Sequence, residues 1–313
     1  MKQKKANRKY VVLFLSSIIV TVVVLISLSI KNKESTSQDF EYQSNTINTK
    51  TTKKSVNQSN GSSTANQLDS TAENSSKPIK SQANVHPKLD ASQLFSNAGK
   101  VGYGVYSFNE DEYITNQNTE PFIAASVIKV FIMSYIYENE LALDEKIDGE
   151  TTQELVRRMI QISDNQATNR LIEFLGMSHL NQYFEDQGYK ETKLERKMLD
   201  EQARINGIEN YTSVADCMGF LKKIVAHQNE LPYSEMLTIM SGQTVRTKIP
   251  SQLPSEVKVA NKTGELDTVE NDIGLVLDST KPFAIVVLTN DVYDSSAIRE
   301  AIGAFALQAF EKF

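Results

Sequence analysis

Only residues 88–313 of this 313-residue chain have the composition of a segment that packs a core, and that restriction decides what the chain can fold into. Residues 31–80 contain 28 Ser, Thr, Asn and Gln against 8 apolar residues. Such a segment buries too little surface to offset the entropy of ordering it. Residues 31–87 are therefore expected to be a disordered linker, holding the next domain on the order of 40 Å away as a flexible coil. Ahead of it, residues 10–30 (YVVLFLSSIIVTVVVLISLSI) run for 21 residues without a charge. That length crosses a bilayer core as a helix. Lys2, Lys4, Lys5, Arg8 and Lys9 precede it. By the positive-inside rule residues 1–9 stay cytoplasmic and everything after Ile30 lies outside. A cleaved signal peptide has a shorter apolar core followed by small residues, and this run has neither feature. The expectation is a single-pass anchor in the plasma membrane of a Gram-positive bacterium, with an extracellular head.

The head is acidic. Residues 1–90 carry 13 Lys and Arg against 6 Asp and Glu, so with −6 for the whole chain the remainder carries −13. Nucleic-acid binding wants a basic face, and this balance argues against it. The only cysteine is Cys217, which excludes an internal disulfide. His86, His179 and His227 are widely scattered, so no metal site and no cofactor site is expected.

Periodicity in the head changes twice. Residues 90–97 are expected to form a short helix. Residues 101–108 and 113–115 are expected to form a hairpin across Asn109-Glu110-Asp111. Residues 126–139 are apolar almost all round, as in a helix at the centre of a domain. Residues 154–162 and 166–175 read as helices, the second closed by Gly176, followed by 178–187. Thr212 or Ser213 caps another helix to about 226, and 233–240 is one more. Then 256–262, 273–277 and 283–289 are strand-like, and 295–310 is a closing amphipathic helix. Two early strands, a long helical insert, then three strands and a helix predict an α/β domain. Its antiparallel sheet comes from both ends of the segment, with an all-α lobe beside it. A cleft between lobes favours a ligand.

Three short motifs carry the chemistry. Ser126-Val-Ile-Lys129 places a hydroxyl and an amine one turn apart on one helix face. In the first turn, free N–H groups and the helix dipole favour developing negative charge. A serine is a weak nucleophile until a base takes its proton, and a lysine among apolar neighbours has its pKa lowered towards that task. S-x-x-K alone is expected about once by chance in a head of this length. Ser163-Asp164-Asn165 falls between two helices. Its hydroxyl can pass a proton and its amide can hold a substrate amide, although all three residues are also good helix caps. Lys262-Thr263-Gly264 is expected to end a strand. Its cation and hydroxyl suit a substrate carboxylate, and glycine permits close backbone approach. A plain strand end followed by a turn is the alternative. Each tripeptide is expected roughly 0.05 times by chance, so all three motifs in order come to about one in a thousand or less.

This set resembles the signature of class A β-lactamases and penicillin-binding proteins, over nearly the whole head. Residues 245–264 (VRTKIPSQLPSEVKVANKTG) and 271–274 (NDIG) resemble the family's approach to its K-T-G strand and the strand that follows. Residues 192–196 (TKLER) resemble the start of its Ω-shaped loop. The resemblance implies a β-lactamase/D,D-peptidase-like fold that opens β-lactams or acyl-D-Ala-D-Ala-like peptidoglycan ends. It implies Ser126 as nucleophile, Lys129 as general base or proton shuttle and Ser163 as proton relay. Asn165, Lys262, Thr263 and Gly264 would hold the substrate. The backbone N–H groups of Ser126 and Glu265 would form the oxyanion hole.

One departure matters. The family's β-lactamases carry a glutamate two residues after the loop's arginine, where it activates the deacylating water. Here that position is Met198. Asp200 and Glu201 are the nearest carboxylates, two or three residues out of register. Acylation is thus better supported than fast hydrolysis. The runner-up is a slowly deacylating D,D-peptidase or transpeptidase of the cell wall. A non-catalytic surface binding module is the reading from another class.

Overall fold

The computed structural model describes residues 89–139 and 143–313. The expected span over 10–30 and the whole of the linker over 31–87 lie outside these residues. No helix among the described residues is long and apolar enough to cross a membrane.

The described chain opens with α1 (Ser92–Asn97), β1 (Ala98–Ser107) and β2 (Glu112–Thr115). It closes with β7 (Lys258–Leu266), β8 (Val269–Leu277), β9 (Phe283–Val292) and helix α9 (Ser295–Lys312). These strands make one antiparallel sheet in the order β2-β1-β9-β8-β7. Both ends of the domain thus supply it, as the strand pattern predicts. β1 and β9 pair from Ala98↔Val292 to Ser107↔Phe283 and stitch the two ends together. β8 is buried along all but its last residue, as a central strand covered on both faces must be.

One face of the sheet packs on α1 and α9 through Leu94, Val105, Ile285, Val287, Ile302 and Phe305. The other packs on the helical insert. At its centre lies α2 (Ile128–Glu138), where Val130, Phe131, Ile132, Met133 and Ile136 are fully buried. Phe131 meets Tyr189 and Phe184 edge-to-face and Phe220 at a tilt, with ring centroids 4.9–5.9 Å apart. Around α2 pack α3 (Thr152–Gln161), α4 (Asn165–Leu175), α5 (Met177–Asp186), α7 (Val214–Ala226) and α8 (Tyr233–Ser241). Gly176 parts α4 from α5 at φ +80°, a backbone state glycine reaches without penalty. Ser213 caps α7, its hydroxyl accepting from the Asp216 N–H at 3.1 Å.

The structure differs from the pattern in three places. The K-T-G tripeptide does not end its strand; β7 runs on to Leu266 and turns at Asp267-Thr268 into β8. Ser126 lies in a 3-10 turn (Ala125–Val127) ahead of α2 rather than within it. The small strands β3 (Phe122–Ile123), β4 (Lys146–Ile147), β5 (Glu150–Thr151) and β6 (Tyr211–Thr212), with helix α6 (Glu201–Ile205), are too short to leave a period in the sequence.

Candidate active site

The turn that carries Ser126 is held under strain. Ala125, directly before Ser126, has φ +46°, a left-handed state that costs a residue with a Cβ of order 1–3 kcal/mol. Three contacts pin it. Ala124 N–H donates to the Asn210 carbonyl at 2.7 Å. The Asn271 amide of β8 donates to the carbonyls of Ile123 and Ala124 at 2.9 and 3.2 Å. Gly264 on β7 passes so close that a Cβ there would stand 2.7 Å from the Ala124 carbonyl and 3.2 Å from the Ser126 nitrogen. Glycine is thus required by the Ser126 turn itself, a nearer neighbour than the substrate backbone expected there. β7 is an edge strand, so its outward N–H groups lack a strand partner. The N–H groups of Ser126 and Glu265 lie on these two adjoining segments.

Lys129 is fully buried one turn after Ser126. Its Nζ donates to the Ser163 carbonyl at 2.8 Å, to Asn165 Oδ1 at 2.8 Å and to Ser163 Oγ at 3.2 Å. Burial pushes this ammonium down from the usual lysine value to about 7, with Asp164 opposing. An appreciable fraction is then a neutral amine near neutral pH, able to take a proton.

Ser163 sits between two cations. Lys262, also fully buried, donates to Ser163 Oγ at 3.0 Å and to the Thr263 carbonyl at 2.9 Å. Burial holds Lys262 well below the ordinary lysine range, and the neighbouring Lys129 charge adds to that. With both amines directed at one oxygen, the Ser163 hydroxyl hydrogen is free to be donated onward. Ser163 too has a left-handed backbone, φ +56°. It is fixed by its neighbour: Asp164 caps α4, accepting from Gln166 and Ala167 N–H at 2.8 and 3.0 Å. The Arg158 Nε donates to the same carboxylate at 3.0 Å. Asp164 therefore does serve as the cap the sequence allowed, while Ser163 and Asn165 face Lys129. Thr263 is nearly buried and shows no hydrogen bond to Lys129, Ser163 or Asn165.

A loop over residues 196–209 borders the site and is closed at its base. Arg196 meets Glu209 at 2.7 Å with both side chains almost fully buried. The Asn210 Oδ1 accepts from the N–H groups of Glu195 and Arg196 at 2.8 and 2.9 Å. Inside the loop the Asn169 side chain clamps Met198 from both sides, donating to its carbonyl at 2.9 Å and accepting from its N–H at 2.8 Å. Met198 itself is buried in the core. Asp200 is engaged in capping α6, accepting from the Ala203 N–H at 3.0 Å. The Glu201 side chain is 61% exposed and paired with Arg204, whose hydrogen bond holds the carboxyl below its usual range.

Sequence reasoning noted Asn271 only as the start of the NDIG run, without its role in pinning the Ser126 turn, and it missed Asn169, Asn210 and a buried charge cluster behind β7. There Lys248, fully buried, meets Glu265 and Glu270, both at 2.8 Å. Beside it burial raises the Asp272 carboxyl to about 6, with Lys248 and Asn261 opposing. Asn169 had one faint signal, its place four residues after Asn165 on the same helix face. Among the described residues no group of His, Cys, Asp and Glu side chains is arranged to hold a metal ion.

A profile of the Beta-lactamase enzyme family matches residues 87–313. The chain belongs to that family, and its fold is that of the class A β-lactamases and their penicillin-binding relatives. Among solved structures it is similar to a β-lactamase from Sphaerobacter thermophilus DSM 20745, at 24% identity and TM-score 0.62, covering 71% of this chain and 94% of that one. It is similar to PBP-A at 23% and 0.62, covering 71% and 96%. An ancestral (GNCA) class A β-lactamase gives 21% and 0.64, covering 71% and 98%. A comparison with curated protein sequences gives no match.

Proposed function

We propose that this chain is a serine acyl-transfer enzyme that opens β-lactams, and the acyl-D-Ala-D-Ala-like peptide ends they resemble, through an ester on Ser126. The observation that carries this reading is the Ser163 hydroxyl, hydrogen-bonded by both Lys129 and Lys262. In the acylation step neutral Lys129 takes the Ser126 proton as Oγ attacks the carbonyl carbon. The N–H groups of Ser126 and Glu265 face the oxyanion that forms. As the C–N bond breaks, Ser163 gives its proton to the leaving nitrogen and is reprotonated from the lysines. Lys262 and Thr263 hold the substrate carboxylate, and Asn165 its amide.

Met198 favours a second reading of the later step, that of a penicillin-binding D,D-peptidase or transpeptidase which releases its acyl group slowly. A thioether cannot activate water, and Asp200 and Glu201 are engaged elsewhere. The uncharged run over 10–30 and the five cations before it support a membrane-tethered head outside the cell. Protease on intact cells should then release a fragment cut within 31–80, whereas a head found free with a new N-terminus near Ser35 would mean cleavage.

The test of the nucleophile is labelling by a fluorescent penicillin. Ser126→Ala should abolish the label in a folded protein and Lys129→Ala should slow it severely. Labelling of Ser126→Ala at the wild-type rate would overturn the assignment.

A further inference from the structure

Four charged side chains close a ring behind β7. Lys248 meets one oxygen of Glu265 and one of Glu270, both at 2.8 Å. Arg299 of α9 meets the other oxygen of each, at 3.3 and 2.7 Å. Signs alternate around the ring, so each carboxylate is held at its two oxygens by two different cations. Glu265 and Glu270 stand directly opposite each other in the β7–β8 ladder. Like charges so placed destabilise a strand pair, and here both cations bridge them.

Neutralising Glu270 does not by itself explain Lys248. Arg299 already makes two contacts to the Glu270 carboxylate, from Nε at 2.9 Å and Nη2 at 2.7 Å. A further buried cation costs desolvation, and an apolar side chain of similar volume is often as stable in such a place. The lysine also reaches further. Its Nζ donates to the Asn271 carbonyl at 3.3 Å, and the Asn271 side chain holds the Ile123 and Ala124 carbonyls ahead of Ser126. One ammonium thus ties the Glu265 side chain to the residue that pins the Ser126 turn. Glu265 and Ser126 carry the two N–H groups assigned to the oxyanion. β7 is an edge strand, so no strand on its outer side holds Glu265 in place. Burial pushes the Glu265 carboxyl up, but the Lys248 and Arg299 charges outweigh it and leave the group below its usual range, ionised at neutral pH. Lys248 itself is fully buried, so it has no surface with which to touch a substrate.

We propose that Lys248 is a positioning residue of the oxyanion hole, fixing the Glu265 and Ser126 N–H groups relative to each other from behind β7. The inference rests on the acyl chemistry proposed above. Both N–H groups survive a change of either side chain, so a loss registers their placement and not their removal. Deleting one oxyanion donor costs about 10²–10³-fold. Displacing a donor costs less, and a loss of at least about tenfold in acylation is expected.

Stopped-flow acylation of the full-length chain by a fluorescent penicillin tests this, with Lys248→Met and Glu265→Ala beside wild type. In Lys248→Met the Glu270 carboxylate keeps its Arg299 partner. Glu265→Ala, at a half-exposed side chain, covers the case in which Lys248→Met does not fold. Both variants should lose at least about tenfold in the acylation rate at saturation, with a much smaller change in the half-saturating concentration. The second readout is the infrared band of the acyl ester, formed with a penicillin carrying ¹³C at the β-lactam carbonyl. Two well-placed donors polarise that carbonyl, so the band should lie at higher wavenumber in the variants than in wild type. A purely structural role would lower the melting temperature and leave the band where it is. Wild-type acylation rates in the folded variants, or slower acylation with an unshifted band, would overturn the proposal alone. Absence of an ester on Ser126 in wild type would overturn the acyl reading and this inference with it.

Discussion

Met198→Glu is the substitution that most directly probes this site. The Asn169 clamp fixes the Met198 backbone from both sides, so a new side chain there starts from a defined place on the loop. General-base activation of water is typically worth about 10²–10⁴-fold. At 1.36 kcal/mol per tenfold, that is about 2.7–5.4 kcal/mol of the deacylation barrier. The cost is stability. Met198 is 7% exposed, and giving up a buried methionine forfeits about 1.5–3 kcal/mol. Burial also raises the carboxyl pKa, so the base needs a higher pH than an exposed glutamate to be ionised. The assay is stopped-flow turnover of a chromogenic cephalosporin. Wild type should give a burst of one product per Ser126 and then a slow steady rate, with the adduct lasting minutes or longer. In Met198→Glu the burst should vanish into a steady rate at least about a hundredfold higher. Met198→Gln, of similar shape but without basicity, should stay slow. Rapid linear turnover in wild type, lost in Glu201→Ala or Asp200→Ala, would refute the reasoning, as would a folded Met198→Glu whose adduct lives as long as the wild type's.

Three further outcomes follow from the geometry. Lys129 in the folded protein titrates near 7, below its ordinary 10.5, so labelling by penicillin should rise with pH through about 7 and then level. The same depressed value penalises the folded state in full below pH 7 and less as pH climbs towards 10.5, so this group's contribution to stability also improves with pH. Gly264→Ala places a Cβ 2.7 Å from the Ala124 carbonyl; a shift of about 1 Å in catalytic geometry can cost 10²-fold, so acylation measured by stopped flow should fall by at least about tenfold. Arg196→Ala leaves Glu209 buried and unpaired, a loss of about 3–5 kcal/mol in such settings, and limited proteolysis should then cut within residues 196–209 much faster than in wild type.

What the sequence made legible follows from which interactions are local. Ser126 and Lys129 are three residues apart, a local spacing that the sequence displays even though Ser126 falls in the 3-10 turn ahead of α2, and Ser163-Asp164-Asn165 had to lie at a helix boundary because Asp164 is a cap. The strand-like runs over 256–262, 273–277 and 283–289 announced the strands found over 258–266, 269–277 and 283–292, because most of each strand is buried. What stayed hidden depends on contacts far apart in the chain. Lys262 reaches Ser163 across 99 positions, and Asn271 reaches Ala124 across 147. No periodicity reports such pairs. The strand carrying Lys262 looked four residues too short because Gly264 reads as a terminator. In the fold its missing Cβ serves the approach to the Ser126 turn, and the strand continues past it.

The strained residues draw these threads together. Ala125 and Ser163 both hold left-handed backbones without being glycine, and each belongs to, or adjoins, one of the hydroxyls through which the proposed chemistry runs. Strain of order 1–3 kcal/mol at each persists only where surrounding contacts over-determine the backbone. For Ala125 those contacts are Asn210, Asn271 and Gly264; for Ser163 they are Lys129, Lys262 and the Asp164 cap anchored by Arg158. The two sets come from the sheet, the helical lobe and the residue 196–209 loop's closing segment. Neither lobe alone could hold both hydroxyls in place. The division of the site between a sheet built from both chain ends and a helical insert is therefore what holds both strained turns in place, with two buried lysines meeting on the Ser163 hydroxyl.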